Sequence, residues 1–265
     1  MGIRRGTYYY QDEAFQDNFG GVTLGQGGLV NTTDSENWSA AAFSQVTWNP
    51  DWMDRRWRFT LGGRYSMDER KAERDNQSSQ SPFIGSYDEN FSNFNPSAVV
   101  AYDISEDANI YGKVDTAYKS GGTSVRSARA ELFAEGFDEE EIVSYELGVK
   151  GGFWEGRGRY NAALFYMEID GLQTSIQTDP ISPGGRDFLP IDNNQTLGVE
   201  LDTSVLLAEG LTFNFSYGYL DTELGESALI ADVGLSAEVN ESQPYAPEHS
   251  FTPPSTTSYR SPTAL

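Results

Sequence analysis

Few of the residues in this chain belong to the types that carry covalent or metal chemistry. There is one histidine, His249, and no cysteine. A Ser-His-Asp hydrolase would have to be built around that single imidazole, and thiol nucleophiles, Cys zinc sites, iron–sulfur clusters and disulfides are excluded. His249 stands in Pro244-Tyr-Ala-Pro-Glu-His-Ser, a proline-rich strand entry. No G-x-S-x-G elbow precedes a helix signal, so the histidine reads as structural. The densest carboxylate run, Asp138-Glu-Glu-Glu, could hold a hard divalent cation through oxygen, but it lacks the glycine-broken spacing of a calcium loop and reads as solvated surface. Gly148, Gly151 and Gly152 resemble a phosphate cradle only superficially, because they lie in and just after a strand pattern with no helix following. They fit better as relief of crowding in a curved sheet. No catalytic, metal or cofactor-binding residue emerges, and an enzyme is the last function class the chain supports.

What remains is charge at regular positions. Arg64, Lys113, Asp115, Glu146, Lys150, Arg159, Glu200 and Asp202, with Arg56 and Arg58, all stand at the polar positions of segments whose alternate residues are apolar. Leu211, Phe213, Phe215, Tyr217 and Tyr219 share one face against Thr212, Asn214, Ser216 and Gly218. Trp57, Phe59, Leu61, Tyr65 and Met67 alternate with Arg56, Arg58, Thr60, Arg64 and Ser66 in the same way. So do Val143 to Val149 and Leu197 to Val205. Period two means strand, with one face for each class of residue. Weaker alternation covers 3–10, 38–48, 91–102, 109–118 and 158–169. That gives about nine strands, several near the roughly 9–11 residues that a tilted strand needs to cross a bilayer.

Composition narrows the setting. With 18 Lys plus Arg against 40 Asp plus Glu the formal charge is -22, which repels phosphate backbones and excludes nucleic acid as a partner. No apolar run approaches the roughly 18 residues of a spanning helix, which rules out a helical membrane protein but not a membrane β-barrel. The N-terminus shows no apolar h-region and no small-residue cleavage site, so no signal peptide is read there. Between strands, the tight connections at 49–52, 103–107, 154–157 and 208–210 alternate with long polar stretches at 12–36, 69–90, 119–140, 178–192 and 222–243. In a meander this segregation puts short turns at one end and long loops at the other, as in outer-membrane barrels. Trp48, Trp52, Trp57, Trp154, Tyr118, Tyr217 and Tyr219 fall near strand ends, where interfacial aromatic girdles sit.

Several phrases together resemble the barrel of TonB-dependent outer-membrane receptors. They are Ala41-Ala-Phe-Ser-Gln-Val-Thr-Trp, Phe59-Thr-Leu-Gly-Gly-Arg-Tyr-Ser, Asn95-Pro-Ser-Ala-Val-Val-Ala-Tyr-Asp, Ile110-Tyr-Gly-Lys-Val-Asp-Thr-Ala-Tyr-Lys-Ser-Gly-Gly, Ser144-Tyr-Glu-Leu-Gly-Val-Lys-Gly, Gly198-Val-Glu-Leu-Asp and Pro244-Tyr-Ala-Pro-Glu-His-Ser. The resemblance implies an all-β, antiparallel up-and-down meander: about nine to ten strands of a larger transmembrane barrel, forming an open arc over 1–251. It implies import of a scarce ligand, such as a ferric siderophore or cobalamin, across the outer membrane. Lipid would be the immediate partner, and the TonB complex would act only through a plug domain that this chain lacks. Residues 252–265 depart from the pattern: they show no alternation, contain Pro253-Pro254 where a strand should begin, and are expected to form a disordered tail marking a broken reading frame. The other two readings are a self-contained small barrel acting as porin or adhesin, which requires the first and last strands to pair, and a soluble β-sandwich for carbohydrate, which requires Phe213, Phe215 and Leu147 buried between two sheets.

Overall fold

The computed structural model describes residues 1–19, 30–77, 82–177, 185–225, 243 and 246–258. Ten strands form one antiparallel sheet in the order β1-β2-β3-β4-β5-β6-β7-β10-β11-β12. They are β1 Gly2–Phe19, β2 Val30–Trp48, β3 Trp57–Asn76, β4 Phe83–Asp103, β5 Ala108–Lys119, β6 Glu140–Phe153, β7 Gly158–Asp170, β10 Asn194–Ala208, β11 Leu211–Glu223 and β12 His249–Ser258. A second hairpin, β8 Leu172–Ile176 with β9 Asp187–Ile191, leaves the sheet between β7 and β10. One short helix, α1 Ala130–Glu135, lies in the connection from β5 to β6.

The meander and the expected strand centres are as the alternation implied. β1 and β12 each pair with one neighbour, so the arc is open. The sandwich reading fails because there is one large sheet and Leu147 is 54% exposed; the small closed barrel fails because β1 does not pair with β12.

The two faces of this sheet differ in kind. A single hydrogen-bonded row runs Trp48, Phe59, Val100, Gly112, Leu147, Leu164, Val199, Tyr219, His249. None of its members is buried: Leu147 is 54% and Leu164 48% exposed, and Leu61 on the same face reaches 66%. The row also records the tilt of the strands. It leaves the β2–β3 turn at Trp48 and reaches Val199 and Tyr219, nine and eight residues above the Ala208/Leu211 turn. With roughly 3.3 Å per residue along a strand and about 4.8 Å between strands, that climb corresponds to a tilt of roughly 40°, within the range of closed barrels.

Two expectations are corrected. Most of the stretches 12–36 and 69–90 are not loop: β1, β2, β3 and β4 run on through them as paired strand. Polar residues stand on both faces there, so the hydrophobic period is broken while the backbone ladder continues. The expected disordered tail at 252–265 begins as strand, because β12 pairs with β11 through Pro253 and Pro254 to Ser258, with a register shift between Asn214 and Ser216. Pro253 and Pro254 fall inside that register shift and have no ladder partner, the kind of position where a sheet tolerates proline. Residues 178–184, 226–242, Pro244-Tyr245 and 259–265 lie outside the described residues, and the rest of the expected loop 178–192 carries β9.

The tight turns have the chemistry expected of them. At 154–157 the Arg157 N–H donates to the Trp154 carbonyl at 3.1 Å, and the two central residues, Glu155 and Gly156, have φ of +55° and +81°. Positive φ at both central positions matches the twist of the flanking strands. The β2–β3 connection is longer than expected and holds one turn of 3₁₀ helix, Asp51–Met53.

Candidate functional site

The cross-strand register puts all eight of the charged residues singled out from sequence, Arg64, Lys113, Asp115, Glu146, Lys150, Arg159, Glu200 and Asp202, on the face opposite the apolar row. In the middle of that face Lys113 is salt-bridged to Asp115 and lies 3.9 Å from Glu146, its cross-strand partner. The Tyr111 hydroxyl donates to Glu146 at 2.5 Å, and the Lys150 ammonium sits 4.6 Å over the Tyr111 ring. Gly148, opposite Tyr111, leaves the space in which that ring lies. Arg64 stands 5.6 Å over the Tyr8 ring and donates to the Ser66 hydroxyl at 3.0 Å. Arg159 and Asp202 line a second hollow of about 700 Å³ with Lys150 and Asn161, toward the tight turns. Glu200 and Asp202 border a smaller one beside β11 and β12. At its centre the wall thus sets charges against one another, within β5 and across to β6, and places cations over aromatic rings. Arg56 stands apart: it lies in the turn before β3, fully exposed, its guanidinium donating to Tyr102 at 3.3 Å.

Over β1 to β4 the same face holds a cavity of about 640 Å³. Its centre is a network that sequence reading did not find. Asp68 is buried and accepts hydrogen bonds from Ser39 at 2.5 Å, Arg70 at 2.9 Å and the Tyr118 hydroxyl. Arg70 also donates to the Trp38 carbonyl at 3.2 Å and to Ser120 at 2.9 Å. Tyr118 was expected in the girdle and is turned inward instead. The β4–β5 ladder ends at Ser97 opposite Asp115, beside Pro96, which has no N–H to donate, whereas β5 stays paired with β6 to Lys119. The end of β5 therefore separates from β4 and carries Tyr118 across to Asp68.

Beyond this cavity, at the loop end, the same face is covered by residues 122–137. Phe133 of α1 is fully buried and makes the described hydrophobic cluster with Ala72 and Tyr87, flanked by Phe83. Arg74 is buried and donates to Thr33 at 2.7 Å and to the Val125 carbonyl. Burial lowers the Arg74 pKa, and nearby Asp187 opposes that. These residues lie beyond the apolar band, which on β4 ends near Phe94. There the Tyr87 phenol is pushed up to about 12, by burial first and by Glu89 and Asp138 next, and so stays neutral at physiological pH. On the far side the Arg186 N–H donates to the Arg126 carbonyl at 3.0 Å, Ser124 donates to the Arg186 carbonyl at 2.5 Å, and Phe137 meets Phe188 at 5.1 Å. The acidic run does not assemble as a cation site: Glu140 accepts the Gln173 N–H at 3.1 Å, while Glu141 accepts from Asn93 at 2.6 Å. Among the described residues no three His, Asp or Glu side chains converge.

At the turn end the expected girdle is present as a chain of rings on the apolar face. Trp48 lies 6.5 Å from Trp52 and 5.9 Å from Phe59, Trp57 lies 4.9 Å from Tyr102, and Phe153 lies 5.1 Å from Trp154. Tyr217 and Tyr219 stand at the other end, packed on His249, whose Nδ1 is 3.0 Å from the Tyr217 hydroxyl. The structural reading of His249 fits that packing. The Arg55–Asp51 pair beside the rim is 2.6 Å long but about four-fifths exposed. Asp51→Asn is expected to change stability by less than about 0.5 kcal/mol, read from the urea midpoint, because exposed pairs gain little.

A single tilted antiparallel sheet with an uncovered apolar face, an aromatic rim and a self-compensated charged face defines the wall of a membrane-spanning β-barrel. The chain belongs to the TonB dependent receptor-like β-barrel family, whose model matches residues 2–263. Its fold is similar to that of the ferric yersiniabactin uptake receptor FyuA from Yersinia pestis, with a TM-score of 0.77 at 20% identity over 94% of this chain and 35% of that one. The ferric-catecholate import receptor Fiu from E. coli K12, in its closed form, is similar over 94% of this chain and 38% of its own, with a TM-score of 0.58 at 18% identity. Among curated proteins the chain is 28% identical over 129 residues to the ferric-pyoverdine 358 receptor of Pseudomonas putida, covering 48% of this chain and 15% of that receptor. It is 27% identical over 136 residues to the metal-pseudopaline receptor CntO of Pseudomonas aeruginosa, covering 51% of this chain and 18% of that receptor. The chain therefore spans a minor part of the length of the relatives it matches. The family is one of transport receptors whose members reside in the outer membrane.

Proposed function

We propose that this chain forms part of the wall of an outer-membrane receptor that binds and imports a ferric siderophore or a similar scarce metal complex. The observation that carries the reading is the family match over residues 2–263 on a sheet whose apolar row is uncovered and whose charges collect on the other face. In this reading the apolar row faces lipid, and the eight charged residues from Arg64 to Asp202 face the lumen. The tight turns lie on the periplasmic side and the mouth with α1 lies outside. The edges of β1 and β12 are paired in the membrane by further strands, since lipid cannot satisfy an open ladder. The TonB complex acts through a plug domain carried within the barrel. The curated relatives support the substrate class, being receptors for ferric pyoverdine and for metal-pseudopaline.

The test is growth of the parent bacterium, under metal restriction, after deletion of the gene that encodes this chain. Growth is expected to fail on one ferric or metal chelate of a panel and to persist on free iron salts. Unchanged growth on every chelate in the panel would overturn the proposal.

A further inference from the structure

The apolar face carries one fixed charge. From the tight turns up to Trp38, Met67, Phe94, Val143, Tyr166 and Tyr219, every described residue that lies on this face in β2 to β7, β10 and β11 is uncharged. On β1 the face runs Ile3, Arg5, Thr7 and Tyr9, with Arg5 opposite Ser44 and exposed. Arg4 belongs to the other face, since its partner Gln45 lines the polar-face cavity. We propose that Arg5 is a lipid anchor, its guanidinium holding the phosphate of one phospholipid in the leaflet at the tight-turn end. The anchor rests on the apolar row facing lipid, and not on transport.

Depth favours a phosphate. Ser44 stands four residues above Trp48 on β2, roughly 10 Å inside the rim at about 3.3 Å per residue and the tilt of the strands. The paired rows sink toward the tight turns from β11 to β1, so Arg5 lies lower still. An arginine in that half of the band keeps its stem on the apolar wall while its head reaches the phosphates. There two parallel N–H bonds to phosphate oxygens satisfy a cation that would otherwise stand alone in lipid. No acid shares the band with it, and the first carboxylate of the chain is Asp12. A carboxylate on a strand pairing with the outer edge of β1 would bring a second charge into lipid, whereas the bilayer holds its phosphates outside the apolar band.

The surroundings fit a headgroup. The row beside Arg5 continues with Ser44, Gly63 and Pro96, all short, so a phosphate can settle there without displacing a large side chain of β2. The Ser44 hydroxyl, exposed on that row, is a second donor. Trp48 and Trp52, 6.5 Å apart and both exposed, stand toward the turn at the same corner, where indoles lie beside lipid headgroups.

The test takes the protein as the bacterium makes it, extracted into a maltoside detergent, which carries no phosphate. Phosphatidylethanolamine, or a diacylglycerol with the same chains, is titrated in; bound lipid is counted by native mass spectrometry and the thermal unfolding midpoint is followed. Affinity for phosphatidylethanolamine at the tightest site is expected to fall about fivefold in Arg5→Gln and Arg5→Leu, the worth of one basic residue beside a phosphate surface, and by less in Arg5→Lys. Arg4→Gln is expected to bind as the wild type does, and diacylglycerol to bind all variants alike. Arg5→Leu suits the apolar band, so it keeps the comparison open should Arg5→Gln assemble poorly. Equal phosphatidylethanolamine affinity in the wild type and Arg5→Leu would overturn the anchor and leave the wall in its bilayer. A midpoint lowered by Arg5→Leu equally with and without phospholipid would give Arg5 a carboxylate partner on an adjoining strand, and would overturn the anchor too. Absence of bound phosphatidylethanolamine from the wild type would remove the anchor and the lipid-facing assignment together. None of these readings depends on uptake, so failure of the transport proposal would leave them separately decided.

Discussion

Leu147→Arg is expected to prevent stable membrane assembly, at a cost of about 2–4 kcal/mol, the penalty for a cation on the lipid face near the bilayer midplane. Leu147 is 54% exposed in the middle of the apolar row, between Gly112 and Leu164, and no other element among the described residues covers it. In a water-soluble protein an arginine at so open a position would be nearly neutral, because surface substitutions usually stay within about 0.5 kcal/mol. The sign and size of the effect therefore separate the two settings. Glu200→Arg, on the opposite face and equally open to solvent, is the control and is expected to leave assembly intact. The measurement is the fraction of folded, heat-modifiable protein on an unboiled gel, with the urea midpoint in lipid vesicles. Equal effects of the two substitutions would remove the lipid-facing assignment.

Gly148→Ala is expected to destabilise the wall by about 2 kcal/mol, the middle of the range for forcing extra volume into a packed site. The usual expectation runs the other way, since alanine in a regular element gains roughly 0.5–1 kcal/mol over glycine. Here an added Cβ would lie 2.4 Å from the Tyr111 ring, closer than such atoms approach. The ring would have to leave, and with it the hydrogen bond to Glu146 and the stack under Lys150. In a Tyr111→Ala background the same substitution should cost almost nothing. The two changes should therefore couple by about 1–3 kcal/mol. Additive losses in a double-mutant cycle of unfolding midpoints would show that the ring contact is not the cause.

Much of the wall was legible along the chain. Trp57, Phe59 and Leu61 against Arg58, Thr60 and Gly62 announce strand and face at once, because a strand crossing between lipid and polar lumen must alternate with period two. The same pattern placed all eight charged residues on one face. It fell silent at 69–76 and 83–90. Neither face there is a continuous apolar one: Glu69, Lys71 and Glu73 alternate with Arg70, Ala72 and Arg74, and what covers Ala72 and Arg74 is the distant segment 122–137. The strands continue there because the hairpin ladder does, and a ladder is not written in hydrophobicity. Tyr118 was misplaced for a related reason. Its position in β5 matches a girdle, but the end of the β4–β5 ladder at Ser97 and Asp115 sends it to Asp68, fifty residues away in sequence.

The sequence by itself determined the strand class, the two faces, the turn end and the membership in a barrel family, because each is a local period or a short phrase repeated along the chain. Only the tertiary structure decided the roughly 40° tilt, the Asp68–Arg70–Tyr118 network and the docking of Phe133 among Ala72, Tyr87 and Phe83. Tilt is a matter of register between strands, and the network and socket join residues tens of positions apart. Such contacts depend on which ladders form and where they stop, and no local pattern of residue types encodes that.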